Sequence, residues 1–226
     1  MKNEIWLVSS SRNQKMLGIV TSRGHSGAIR CPLFPKDHLR PGRPTGDLRV
    51  EFPNQALADD FLWTWESDCL ISLSLSSRLK SSTITGFETR PVEITVGEVA
   101  VEHDKEQFVT VGWGGLAKPE SGVRLDESKS CSACGHLVYR GVRDWSRLID
   151  FQQWDGSDIF IVWPLPRFIL VTDRAAQLLN RIRTREMKLT PLKAMKPQEG
   201  TLSSGRVGYW LPAWKILSLS IPRDIA

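Results

Sequence analysis

The chain has 226 residues and a mass of 25.5 kDa, enough for one large domain or two small ones that share a core. A composition of 41% hydrophobic and 24% charged residues excludes a disordered or fibrous chain. The net charge of +5 hides an uneven distribution. Residues 1–50 and 128–226 are basic, whereas 51–127 carry fourteen acidic against six basic side chains. The basic residues are dispersed and interrupted by that acidic segment, so the charge reads as a solvated surface rather than a nucleic-acid-binding face. The longest apolar runs, such as Phe168–Val171, are far short of the ~20 residues of a membrane span. Ile5–Val8 is too short for a secretion signal before polar Ser9–Arg12, which leads us to expect a mature cytoplasmic protein with no membrane partner.

In chain order, Ile5–Val8 and Met16–Thr21 have strand character. The proline-rich stretch from Cys31 to Gly46 cannot be helical and reads as a long connecting or binding loop. Next comes an internal echo at a spacing of 100 residues. Trp63 matches Trp163, Leu70-Ile71-Ser72 matches Leu170-Val171-Thr172, Leu79 matches Leu179, and Pro91-Val92 matches Pro191-Leu192. Each copy reads as strand–helix–strand. The first has a strand at Asp68–Ser72, a helix at Leu73–Ser81 and a strand at Phe87–Val96. The second has a strand at Phe168–Thr172, a helix at Asp173–Arg183 and a strand at Met187–Leu192. In the second helix Ala175, Leu178, Leu179 and Ile182 share one face, and Asp173 suits an N-cap or first turn.

Between the copies, Val99–Thr110 reads as a strand pair, Val111–Gly115 as a turn and Pro119–Lys129 as a polar loop. Asp144–Ile149 suits a helical turn, and the tail alternates like a strand over Ile216–Ile221. The expected architecture is a single α/β or α+β domain over residues 1–226. Its mixed sheet is built from two related strand–helix–strand units, at about 60–96 and 160–196, with peripheral loops.

Four cysteines are too few for a disulfide scaffold. Cys131-Ser132-Ala133-Cys134-Gly135 has the form of a zinc knuckle: the turn aims both thiolates at one metal, and glycine relieves the backbone beside them. It supplies two of the four ligands of a structural zinc, and Cys31 with His38 are the candidates to complete it. The alternative is a pair of ordinary cysteines without metal. Cys69, within a buried strand, reads as a small core residue, and His136 lies too close to Cys134 to ligate comfortably. A thioredoxin-like site would need the first cysteine at a helix N-terminus, whereas here strand-like Leu137–Tyr139 follows. No nucleophile elbow, phosphate loop, His-Glu-x-x-His or Ser/His/Asp arrangement stands out, so the expectation is not an enzyme.

Nine tryptophans are many for this length and suit a core combined with a binding surface. Trp63 and Trp163 read as core, and Trp113, Trp145, Trp210 and Trp214 as candidates for an exposed contact patch. Asp59, Asp60, Glu66 and Asp68 cluster around Trp65 and, with Trp113, form the expected partner-binding face.

Ile84–Val92, then Cys131–Gly135, then Asp158–Phe160 with Phe168–Ala176 resembles the myxobacterial double-CXXCG immunity family over roughly residues 55–195. The resemblance implies a non-enzymatic inhibitor that neutralises a cognate antibacterial toxin. This chain departs from the family in having one Cys-x-x-Cys-Gly, with lone Cys31 as a remnant of the other. The runner-up is a basic zinc-knuckle module that binds nucleic acid through residues 1–50 and the C-terminal third.

Overall fold

The computed structural model describes residues 4–10, 18–22, 25–26, 29–36, 38–40, 43–44, 46–53, 57, 59–182 and 187–226. Three sheets carry the fold. The first has five strands in the order Gly112–Leu116, Ile159–Trp163, Leu165–Thr172, Ile5–Ser10, Met187–Pro191. The second runs Phe87–Arg90, Lys105–Thr110, Cys69–Ser72, Phe61–Trp63, and is antiparallel throughout. The third runs Val99–Ala100, Val92–Val96, Leu48–Glu51, Ile19–Ser22, with Val92–Val96 parallel to Leu48–Glu51. The chain thus mixes helix and strand, with strands predominant.

Period-two alternation explains the layering. In the second sheet Phe61, Trp63, Cys69 and Ile71 face one way and pack with Val8, Ile159, Ile169 and Val171 of the first sheet. Leu62 and Leu70 face the other way, onto Leu48, Val50, Val92 and Ile94 of the third. The far face of the first sheet, through Leu7, Phe160, Val162 and Leu170, packs on Trp145 and Leu148. Ile159–Trp163 is apolar at every position because it is buried on both faces.

Helix α1 spans Leu73–Lys80 and α2 spans Asp173–Ile182. Each starts where a hydroxyl caps it: Ser72 Oγ accepts from Leu75 N at 3.2 Å, and Thr172 Oγ1 from Ala175 N at 3.3 Å. Asp173 is a first-turn residue, its carboxylate accepting from Trp6 Nε1 at 3.3 Å. Leu75 and Leu79 of α1 join Ala175, Ala176 and Leu179 of α2 in the core between the first two sheets. Burying each leucine contributes about 2 kcal/mol.

Four expectations change. The strand read over Phe87–Val96 is two, Phe87–Arg90 and Val92–Val96, which join different sheets on either side of Pro91. Gly112–Leu116 is a strand, not a turn, because its glycines allow a bulky neighbour to close in. A Cβ on Gly112 would sit 2.0 Å from Ile159 O, and one on Gly114 2.5 Å from the Phe160 ring. Val99–Ala100 and Lys105–Thr110 are not a pair; they join different sheets. In the tail the alternation gives way to a short helix, α3, at Ala213–Leu217. The helical turn at Trp145–Arg147 and the strand at Ile5–Ser10 agree with the sequence reading. Of the early segments, Ile19–Ser22 is a strand. Residues 16–17, part of the proline-rich loop and the end of the second predicted helix at 183 lie outside the described residues. No described helix is long and apolar enough to cross a membrane.

Candidate metal centre

Two hairpins bring the cysteines together. In the first, Ile29–Arg30 pairs with Leu39–Arg40, and Cys31 N donates to His38 O at 3.3 Å across the loop. Phe34 N donates to Cys31 Sγ at 3.3 Å, an amide–sulfur bond that helps hold a thiolate. In the second, Cys131 N donates to His136 O at 2.8 Å, and Gly135 adopts the left-handed φ of 64° that lets the chain turn.

The outcome is a four-donor cluster. The sulfurs of Cys31, Cys131 and Cys134 and a ring nitrogen of His38 all lie within 4.8 Å of one another. Cys31 Sγ is 3.8 Å from Cys131 Sγ, and Cys134 Sγ is 3.9 Å from His38 Nδ1. The three cysteines are buried and form an isolated apolar cluster, Cys31 with no exposed surface. These three and Cys69 are all free thiols. The 3.8 Å between the Cys31 and Cys131 sulfurs matches thiolates that share a tetrahedral ion with bonds of about 2.3 Å, for which the ligand–ligand distance is about 3.8 Å.

Local electrostatics prepare one thiolate. Burial raises the pKa of Cys31. Hydrogen bonds from the Phe34 and Leu33 amides, His38 and Cys134 outweigh it and bring the pKa down to about 6. Burial holds Cys134 above the ordinary thiol range, and its cysteine neighbours add to the rise against a bond from the His136 backbone. Cys69 stands apart in the core, and burial raises its thiol well above the usual range.

His136 is the participant that sequence spacing did not identify. Its ring stacks on His38 with centroids 4.4 Å apart and planes at 11°, and its Nε2 meets Ser203 Oγ at 3.2 Å. Phe34 also lies against His38, with ring centroids 5.0 Å apart and planes at 55°. His38 is therefore oriented by its neighbours as well as by its own loop. One signal in the sequence would have joined the hairpins: Cys31 and Cys131 are separated by 100 residues, the spacing of the internal echo.

The expected partner face is dispersed. Trp113 is buried at 4% exposure and packs with Ile161 and Trp163, which overturns its assignment to a surface patch; Trp145, at 2%, is likewise core. Asp59 is buried. Asp60 receives the Ser72 hydroxyl at 2.7 Å, and Asp68 the Thr64 hydroxyl at 3.1 Å, so both brace the hairpin around residues 60–72. Trp65 and Glu66 are exposed on the turn between these two carboxylates. Trp214 is exposed and Trp210 half-buried. No protein-family model matches the chain, and no curated protein is significantly similar to it.

Proposed function

We propose that this chain is a non-enzymatic binding protein of the toxin-neutralising immunity type, stapled by one structural zinc at Cys31, His38, Cys131 and Cys134. The observation that carries the metal is the donor set itself: three thiols and one imidazole within 4.8 Å, on two hairpins distant in sequence. Such a set suits tetrahedral zinc, and four protein ligands leave no position at which a substrate or water could be activated. The ion would supply cross-linking, not chemistry. The inhibitor reading draws on the resemblance to the double-CXXCG immunity family, and a Cys31 placed 100 residues before Cys131 fits a chain that has kept part of a first motif. The strand–helix–strand segments at 60–96 and 160–196 are, in this reading, related units.

Within the acidic segment the contact falls to Trp65 and Glu66, which project from a braced turn. The test is co-expression with the protein encoded beside it, followed by size-exclusion chromatography with light scattering and a growth-rescue assay. A stoichiometric complex weakened by Trp65→Ala and Glu66→Lys is expected. Absence of a complex, together with retention of nucleic acid that salt removes, overturns the reading in favour of a nucleic-acid module.

A further inference from the structure

The first two sheets share more than layers. In the second sheet, hairpin Phe61–Trp63/Cys69–Ser72 leads through α1 to Phe87–Arg90, and Lys105–Thr110 sits between the last two strands. In the first, hairpin Ile159–Trp163/Leu165–Thr172 leads through α2 to Met187–Pro191, and Ile5–Ser10 sits between the last two. The inserted strands come from opposite ends of the connectivity, yet their registers coincide at an offset of 100.

The coincidence holds at both seams. Ser72, Ile71, Leu70 and Cys69 face Lys105, Glu106, Gln107 and Phe108. Thr172, Val171, Leu170 and Ile169 face Ile5, Trp6, Leu7 and Val8. On the other side Phe87, Glu88, Thr89 and Arg90 face Thr110, Val109, Phe108 and Gln107. Met187, Lys188, Leu189 and Thr190 face Ser10, Ser9, Val8 and Leu7. Adding 100 to residues 69–90 and subtracting it from residues 105–110 turns one set into the other. The hydroxyls that cap the helices repeat as well. Ser72 donates to Asp60 Oδ1 at 2.7 Å, and Thr172 to Asp158 Oδ1 at 2.8 Å.

The same offset links the hairpins of the metal centre. Cys31 corresponds to Cys131, and position 34, held by Phe, corresponds to Cys134. His38 and His136 occupy matching places on the returning arms, since each carbonyl accepts from the amide of the first cysteine. The two imidazoles stack face to face where the hairpins meet.

We propose that the chain is two units of about 100 residues that have exchanged their first strands, and that the metal joins the units at equivalent hairpins, with His38 serving in place of the thiolate missing at position 34. Neither sheet is complete without a strand from the other unit, so the units are interlocked, and the ion is a link between them rather than a brace within either. The second clause rests on the metal reading above; the first does not.

Two measurements on the full chain test this. The first is a cobalt(II) titration of the wild type, His38→Ala, Phe34→Cys/His38→Ala and Phe34→Cys. His38→Ala is expected to weaken cobalt binding by at least about tenfold. Adding Phe34→Cys is expected to restore it, with the thiolate-to-cobalt charge-transfer absorption rising from three thiolates' worth to four. A double variant that binds as weakly as His38→Ala overturns the equivalence of the hairpins. The second measurement introduces Ser9→Cys with Lys188→Cys, and separately Ser9→Cys with Glu88→Cys, the partner that strand 5–10 would face if it stayed in its own unit. After mild oxidation of the metal-loaded protein, peptide mass analysis is expected to find the disulfide in the first pair. A disulfide in the second pair overturns the exchange. A wild-type chain that binds neither zinc nor cobalt refutes the metal reading and the second clause with it, while the cysteine pairs still decide the exchange.

Discussion

Metal removal has a cost that follows from the topology. An ion held by Cys31 and Cys131 ties residues 100 apart in sequence. In the chain-entropy treatment, a cross-link closing a loop of that length lowers the entropy of the unfolded chain enough to stabilise the folded one by about 4.7 kcal/mol. The metal–thiolate bonds add to this, up to the roughly 10–16 kcal/mol of apparent binding energy seen for small zinc domains. For a chain of this size each kcal/mol moves the melting temperature by about 2–4 °C. Stripping the ion should therefore lower Tm by at least about 10 °C on the topological term alone. The assay is thermal unfolding by circular dichroism, before and after chelation at constant pH, with metal content measured in parallel. Cys131→Ser should show the same loss and no further response to chelator. A Tm unchanged after verified removal of the ion would refute the cross-link argument.

Other consequences concern the apo site and the frame that supports it. With the metal removed, the thiolate of Cys31 persists to lower pH than in the unfolded chain, because its pKa is brought down to about 6 against about 8.5 for a free thiol. Its contribution to apo stability is thus fully present above pH ~8.5 and lost as pH falls through about 6, which thiolate absorbance at 240 nm during pH titration will follow. Asp158→Ala removes a buried carboxylate that accepts from Thr172 Oγ1 at 2.8 Å and Thr85 N at 3.1 Å and pairs with Arg174. About 3 kcal/mol of stability should be lost in urea unfolding, most of it from the orphaned buried donors rather than the exposed arginine. Although burial works against it, bonding to Arg174, Thr172 and Thr85 holds the Asp158 pKa low. The stability it confers is therefore present above the unfolded carboxyl's pKa of about 3.9 and lost as pH drops through the lower folded value; the variant should lack that acid limb. Gly112→Ala would place a Cβ 2.0 Å from Ile159 O, a backbone atom that cannot turn aside. A loss of about 3 kcal/mol or more is expected, read from the same unfolding curves; a loss under about 1 kcal/mol would refute the packing argument for that strand.

The sequence alone determined what depends on near neighbours. The helices observed at Leu73–Lys80 and Asp173–Ile182 were legible, at Leu73–Ser81 and Asp173–Arg183, from their helical pattern, because a helix sets the side-chain period through bonds four residues apart. Cys131-Ser132-Ala133-Cys134-Gly135 read as half of a metal knuckle because three-residue spacing on a turn already aims two sulfurs together. Tertiary structure decided the partners. Strand pairing joins residues through hydrogen bonds that carry no mark of sequence distance, so nothing local tells Lys105–Thr110 to lie beside Cys69–Ser72, or Ile5–Ser10 beside Leu165–Thr172. Trp113, flanked by glycines, read as exposed, and it is buried only because the tail residues Val207, Leu211 and Ile225 pack with it and its sheet neighbours Ile161 and Trp163. The centre itself divides the same way. Cys131 and Cys134 were legible as a pair, and Cys31 with His38 as the candidates to complete the set, whereas the meeting of all four within 4.8 Å, across 100 residues of chain, belongs to the tertiary structure.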